Sequence, residues 1–187
     1  MRRRHTLKAT LASLLPLSWR ISRAQPASGL AALLRAGRCV VMLRHAQTEP
    51  GVGDPPDFQP GQCSTQRNLS QAGRAQASRI GQWFRNYELQ TPSVYASAWC
   101  RCRDTADLAF GQHSVLPALN STFDNKDHQA AQTLALRARL QGVPAGRFEV
   151  WVTHQVNITA LTGEVPAMAE ALVIHGQGTV LARTTFG

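Results

Sequence analysis

Residues 40–51 read Val-Val-Met-Leu-Arg-His-Ala-Gln-Thr-Glu-Pro-Gly ("VVMLRHAQTEPG"). With Cys39 in front, residues 39–44 form an apolar run with β-branched valines, the mark of a strand buried on both faces. The run ends on adjacent Arg44 and His45, and from Gln47 the chain loses its periodicity. An unpaired guanidinium costs several kcal/mol to bury. Arg44 at a strand end therefore calls for either solvent or an anion.

Two further stretches end in a related way. "FEVWVTH", 148–154, is an apolar strand that runs into His154. "SVYAS", 93–97, follows a turn at Thr91-Pro92 and delivers Ser97, then Arg101 where the next helix opens. In parallel α/β sheets ligands sit in the crevice beyond the carboxyl ends of the strands. If the strands ending at His45 and His154 are neighbours, both imidazoles face that crevice beside Arg44 and Arg101. The helix N-termini after His154 and near Cys100 point N–H groups the same way. Such a pocket favours a tetrahedral dianion.

The rest of the chain supplies the frame. Residues 28–38 predict a helical lead-in, and 47–67, with four prolines and three glycines, a long loop. Ser70 is the N-cap of a helix whose apolar positions are Ala72, Ala75, Ile80 and Phe84. "CRCRDTADLAF" is a helix stopped by Gly111, followed by a loop to Asn125 and an amphipathic helix stopped by Gly142. A short helix follows His154, and "EALVIHG" and "TVLARTTF" pair as a terminal hairpin around Gln177-Gly178. Alternating strands and helices predict an α/β, three-layer domain with a central, largely parallel sheet flanked by helices. One domain over 25–187 accounts for the pattern, with no internal repeat.

A net charge of +9 and a pI near 10.7 suggest a nucleic-acid or membrane binder. The location of the charges argues otherwise. Residues 1–24 combine a basic start, an apolar stretch from Leu7 to Trp19 and a small-residue site at Ala24, the layout of a cleavable export signal. "RRHTLK" from Arg3 to Lys8 is similar to the twin-arginine pattern, with Thr6 where Phe is usual. The apolar part is too short, and too interrupted by Pro16, for a stable membrane anchor. Six of the 20 basic residues (Arg2, Arg3, Arg4, Lys8, Arg20 and Arg23) precede the cleavage point. That leaves 14 against 11 acids, about +3, and no basic run with interleaved aromatics, so no nucleic-acid partner is expected. The expected location is periplasmic or secreted.

Cys39, Cys63, Cys100 and Cys102 all follow the export segment. An even count in an oxidising compartment permits a disulfide. Cys100 and Cys102 are too close to pair easily, so the expected bridge joins Cys63 to Cys100 or to Cys102, with Cys39 a buried thiol. The paired C-x-x-C spacing of a structural zinc site is absent, and no metal or cofactor is expected. Gly51 and Gly53 lack the third glycine of a dinucleotide site, and no G-x-S-x-G supports a serine hydrolase.

"LRHAQT", "NLSQAGRAQA", "SAWCRCRDTA" and "VTHQVNITALTG", taken in this order, resemble the histidine phosphatase superfamily, also called phosphoglycerate mutase-like, over roughly 39–175. The resemblance implies that His45 attacks phosphorus and carries the phosphoryl group, while Arg44, Arg101 and His154 grip its oxygens. It also implies that the arginines depress the His45 pKa and keep the ring nucleophilic, and that Thr48 bonds near the phosphate. Arg67 stands where it can reach the rim.

The sequence departs from the family's pattern at two places. Gly51 replaces an asparagine, and Ser121 follows Leu119-Asn120 where the mutase-like branch has the glutamate that protonates the leaving oxygen. Asp124 is the first substitute for that acid, ahead of Asp127, Glu49 and Asp54. The expected activity is metal-independent hydrolysis of a small phosphomonoester. The alternative is a phosphate- or phosphosugar-binding protein that kept the pocket and lost its acid. His113, His128 and His175 are read as surface or loop histidines, and Asn157 as structural.

Overall fold

Strand β1 (Cys39–Arg44) forms where the apolar run places it and takes a central position in the sheet. The structure, a computed structural model, describes residues 27–51, 53–89 and 93–186. The export segment expected over 1–24 and the turn at Thr91-Pro92 lie outside the described residues. β1 pairs in parallel with β4 (Phe148–Thr153), Arg44 opposite Thr153, so the two strand ends carrying His45 and His154 are immediate neighbours. β4 pairs in parallel with β2 (Val94–Ala96), which pairs with β3 (Ser114–Val115). On the other side of β1, β5 (Glu170–His175) and β6 (Thr179–Thr185) form the expected antiparallel hairpin. The order is β3-β2-β4-β1-β5-β6, largely parallel with β5 reversed.

Alternation along β1 sends its side chains into two cores. Val41 and Leu43 face one layer, with α1 (Ala27–Ala36), α2 (Gln71–Asn86) and α3 (Cys100–Phe110). Val40 and Met42 face the other, with α4 (Gln129–Gln141) and α5 (Gln155–Thr162). This double burial is why the run carries no polar side chain before Arg44. Trp151 on β4 is fully buried, and its indole N–H donates to Glu149 Oε2 at 2.7 Å.

Helix α2 turns a different face inward from the one expected. Ser70 does cap it, accepting from Gly73 N at 3.1 Å. Ala72 and Ala75 are exposed, however, and the buried positions are Gly73, Ala77, Ile80, Gly81 and Phe84. Two glycines set this face: a Cβ on Gly73 would overlap the Gln47 carbonyl, and one on Gly81 the Ala109 carbonyl. Hydrophobicity alone does not register such close backbone approach.

The loop expected over 111–125 contains β3 and a 3-10 turn, Pro117–Leu119. Two exposed residues make β3 an edge strand without an apolar signature. α4 buries only Leu136 and Leu140, while Leu134 stays exposed. Among the described residues no helix is long and apolar enough to cross a membrane. Cys63, in a 3-10 turn of the 47–67 loop, is bonded to Cys100, with 5.6 Å between Cα atoms. This fixes the first of the two expected partners and leaves Cys102 and Cys39 as buried thiols.

Candidate active site

His45 lies just past β1 and is almost fully buried. Its Nδ1 is 2.9 Å from the Ala46 carbonyl oxygen, which only accepts, so Nδ1 carries the proton and Nε2 is left with a free lone pair. Ala46 is itself held: its N–H donates to Thr105 Oγ1, and Thr105 donates to the Arg101 carbonyl at 2.7 Å. Burial pushes the His45 imidazole down to about 3, and the charges of Arg101, Arg44 and Arg67 add to the effect. The family resemblance assigns this depression to the arginines; in the fold, desolvation is the larger cause.

His154, at the end of β4 and the start of α5, faces His45 edge-on with 5.5 Å between ring centroids. A chain of hydrogen bonds sets its tautomer. Asn120 Oδ1 receives Ala98 N (2.9 Å) and the Ser97 hydroxyl (3.3 Å), so Ser97 Oγ accepts from His154 Nε2–H at 2.9 Å. Asn120 is fixed in turn by Asn157 Nδ2, which donates to the carbonyls of Leu119 and Asn120. His154 Nδ1 then stands 3.5 Å from Arg101 Nη2. Burial, and after it His45 and the arginines, holds His154 well below the usual imidazole range.

Arg44, Arg67 and Arg101 line one cavity with both histidines, about 230 Å³ in volume. Arg44 donates to Gln155 Oε1 and the Pro166 carbonyl, both at 2.9 Å, and Arg67 to the Gly51 carbonyl. Neither meets a carboxylate among the described residues. Arg101 does: Asp54 Oδ1 lies 2.8 Å from its Nη1 and also accepts the Arg67 backbone N–H. Those two partners hold the Asp54 carboxyl below the usual range against the opposing effect of burial. The Nε atoms of Arg44, Arg67 and Arg101 are all buried without a hydrogen-bond partner. Three guanidinium groups on one cavity wall, only one of them paired with a carboxylate, leave positive charge and N–H donors suited to an oxyanion.

The sequence-predicted residues divide cleanly. Arg44, His45, Arg67, Arg101, His154 and Asp124 all line the cavity, with Ser121 where the family pattern has its glutamate. Thr48 does not. It makes a backbone bridge with Leu69, and its hydroxyl is buried without a partner outside the cavity wall. Glu49 and Asp127 are not among the lining residues either. Asp54, a candidate proton donor on sequence grounds, is instead the partner of Arg101. The helix N-terminus near Cys100 is not free for a ligand, because Cys100 N donates to Gln66 Oε1 at 2.9 Å. That role of Gln66, like those of Thr105 and Asn120, has no local sequence signal beyond an amide or hydroxyl next to a motif. Among the described residues no group of three metal-ligating side chains occurs.

The family model described as histidine phosphatase superfamily (branch 1) matches residues 40–171. The protein histidine phosphatase SixA complexed with tungstate shares the fold at 17% identity, over 79% of this chain and 96% of that one, with a TM-score of 0.53. A phosphoglycerate mutase from Thermus thermophilus shares it at 19% identity, over 80% and 99%, with a TM-score of 0.55. No curated protein matches by sequence.

Proposed function

The chain belongs to the histidine phosphatase superfamily, and on that premise we propose that it hydrolyses small phosphomonoesters through a phosphohistidine on His45, without a metal. The observation that carries this reading is the convergence of Arg44, Arg67 and Arg101 on one cavity with an imidazole whose Nε2 is free. Arg44 and Arg101 bind the non-bridging oxygens, and Arg67 reaches them from the rim. His45 Nε2 attacks phosphorus in line with the leaving oxygen, and the arginines stabilise the charge that spreads over the phosphoryl group. Water then attacks the phosphohistidine and releases phosphate. His154 Nδ1, beside Arg101, takes up a proton as the dianion enters and becomes a further donor to it.

Asp124 is the wall carboxyl closest in sequence to Ser121 and serves as the acid for leaving groups that need one. The work is done outside the cytoplasm. The twin-arginine-like start and the Cys63–Cys100 bond support that location, because disulfides persist in oxidising compartments.

The test is turnover of p-nitrophenyl phosphate in EDTA by the purified protein and by His45→Ala. Turnover that survives EDTA and falls roughly a thousandfold or more in the variant is expected. A folded wild type that turns nothing over, yet melts higher in phosphate, would identify a phosphate-binding protein instead.

A further inference from the structure

Five large apolar side chains among the described residues are conspicuously exposed: Val115, Phe123, Leu134, Val165 and Leu181. Only Phe123, 71% exposed, lines the cavity of His45. It is presented there by its surroundings. Thr122 beside it is buried, Leu119 is fully buried, and Asn157 pins the Leu119 and Asn120 carbonyls. The Phe123 N–H donates to Ser121 Oγ at 3.2 Å, closing a tight turn that points away from the core. Val156, from the first turn of α5, is the other apolar member of the wall, and Gly53 contributes no side chain at all.

The wall's carboxyl groups point the same way. Asp54 is tied to Arg101; Asp124, the acid proposed above for leaving groups that need one, is exposed rather than held in the pocket; and Ser121 stands where the family pattern has its glutamate. A leaving group that is stable as an anion suits this wall. Phenols ionise near pH 10, as tyrosine does, against about 15.7 for water.

We propose that the substrate is an aryl phosphomonoester, its phosphate among the three arginines and its ring stacked on Phe123 with Val156 at the edge. The inference rests on the phosphatase reading above and adds the class of leaving group. As the His45 Nε2–phosphorus bond forms, the phosphorus–oxygen bond breaks. The electron pair leaves on the aryl oxygen, where the ring delocalises it, and the phenol takes its proton from water. Phe123 then sets specificity through contact with the ring.

Calorimetric binding of phenylphosphonate and methylphosphonate to the full chain tests this without requiring turnover. The wild type is expected to bind the phenyl compound about fivefold more tightly, the scale of one aromatic stacking contact. Phe123→Ala brings the two affinities together, and Phe123→Trp keeps them apart. Equal affinities in the wild type, or a preference that survives Phe123→Ala, would overturn the proposal. Turnover of phenyl phosphate and ethyl phosphate is measured in parallel. Ring-dependent binding with no turnover of either ester sinks the hydrolase reading and leaves the aryl site standing. Equal turnover of both esters with ring-independent binding sinks the aryl site alone.

Discussion

Acid should destabilise this fold through the buried ring of His45. His45 is neutral in the fold, with its pKa lowered to about 3, against 6.5 in an unfolded chain. Between those values the unfolded state binds a proton that the native state does not, so stability rises with pH and falls as pH drops below 6.5. The contribution of His45 is fully present above 6.5 and is lost down to about 3. Each pH unit travelled inside that window costs about 1.4 kcal/mol, so this one ring loses about 2 kcal/mol between pH 7 and pH 5. His154 is shifted in the same direction and adds to it. Asp54 and Glu170, whose carboxyls are held low, matter only in more acid solution. The assay is urea unfolding of wild type and His45→Asn at pH 7.0 and 5.0. Phosphate and sulfate are left out of the buffers, since an oxyanion bound in the arginine pocket, as proposed, would stabilise the native state by mass action. The variant's own stability is immaterial, because the quantity read is each protein's difference between the two pH values. That difference should shrink by about 2 kcal/mol in His45→Asn. If both proteins lose the same stability on acidification, His45 is not a buried neutral imidazole.

Reduction of the Cys63–Cys100 bond opens a loop of 37 residues, which the chain-entropy account values at about 4 kcal/mol. A melting temperature lower by roughly 10 °C in dithiothreitol or in Cys63→Ser is the expected reading. The KM for p-nitrophenyl phosphate should rise with it, because Arg67 and Gln66 lie four and three residues from Cys63; an unchanged KM would free the loop from any part in binding. Asp54→Asn keeps an acceptor oxygen for Arg101 and Arg67 N while removing one negative charge from the cavity wall. Inorganic phosphate should then inhibit about tenfold more tightly at low salt, and weaker inhibition would mean that Asp54 acts by orienting Arg101.

Most of the frame was legible because it follows from one-dimensional patterns. The apolar runs at 39–43 and 150–152 mark strands buried on both faces, and Ser70, Gly111 and Gly142 punctuate helices by local chemistry. The residues that end those strands were legible for the same reason, since charge at the close of an apolar run is conspicuous. Legibility fails where a position is set by a distant backbone. Gly73 and Gly81 turn α2 because Gln47 and Ala109 approach it, and neither approach is written in α2 itself. Thr48 matches a motif, yet its strand-like bridge to Leu69 directs it away from the cavity. Asp54 lies in a loop without periodicity, 47 residues before Arg101, and only the fold brings the two within 2.8 Å.

The two histidines show why position at a strand end does not by itself assign a role. Both follow neighbouring parallel strands and both are buried neutral, yet their protons sit on opposite ring nitrogens. Ala46, steadied by Thr105 from α3, takes the Nδ1 proton of His45 and leaves the Nε2 lone pair free. Ser97, steadied by Asn120 and through it by Asn157 from α5, takes the Nε2 proton of His154 and leaves Nδ1 beside Arg101. In the proposed reaction the first arrangement suits a nucleophile, and the second a ring that gains a proton when an anion arrives. The difference comes from a backbone carbonyl and a serine hydroxyl, each held in place by a neighbouring hydroxyl or amide group. Replacing Asn157 should therefore disturb His154 before it disturbs His45, even though the two rings lie 5.5 Å apart.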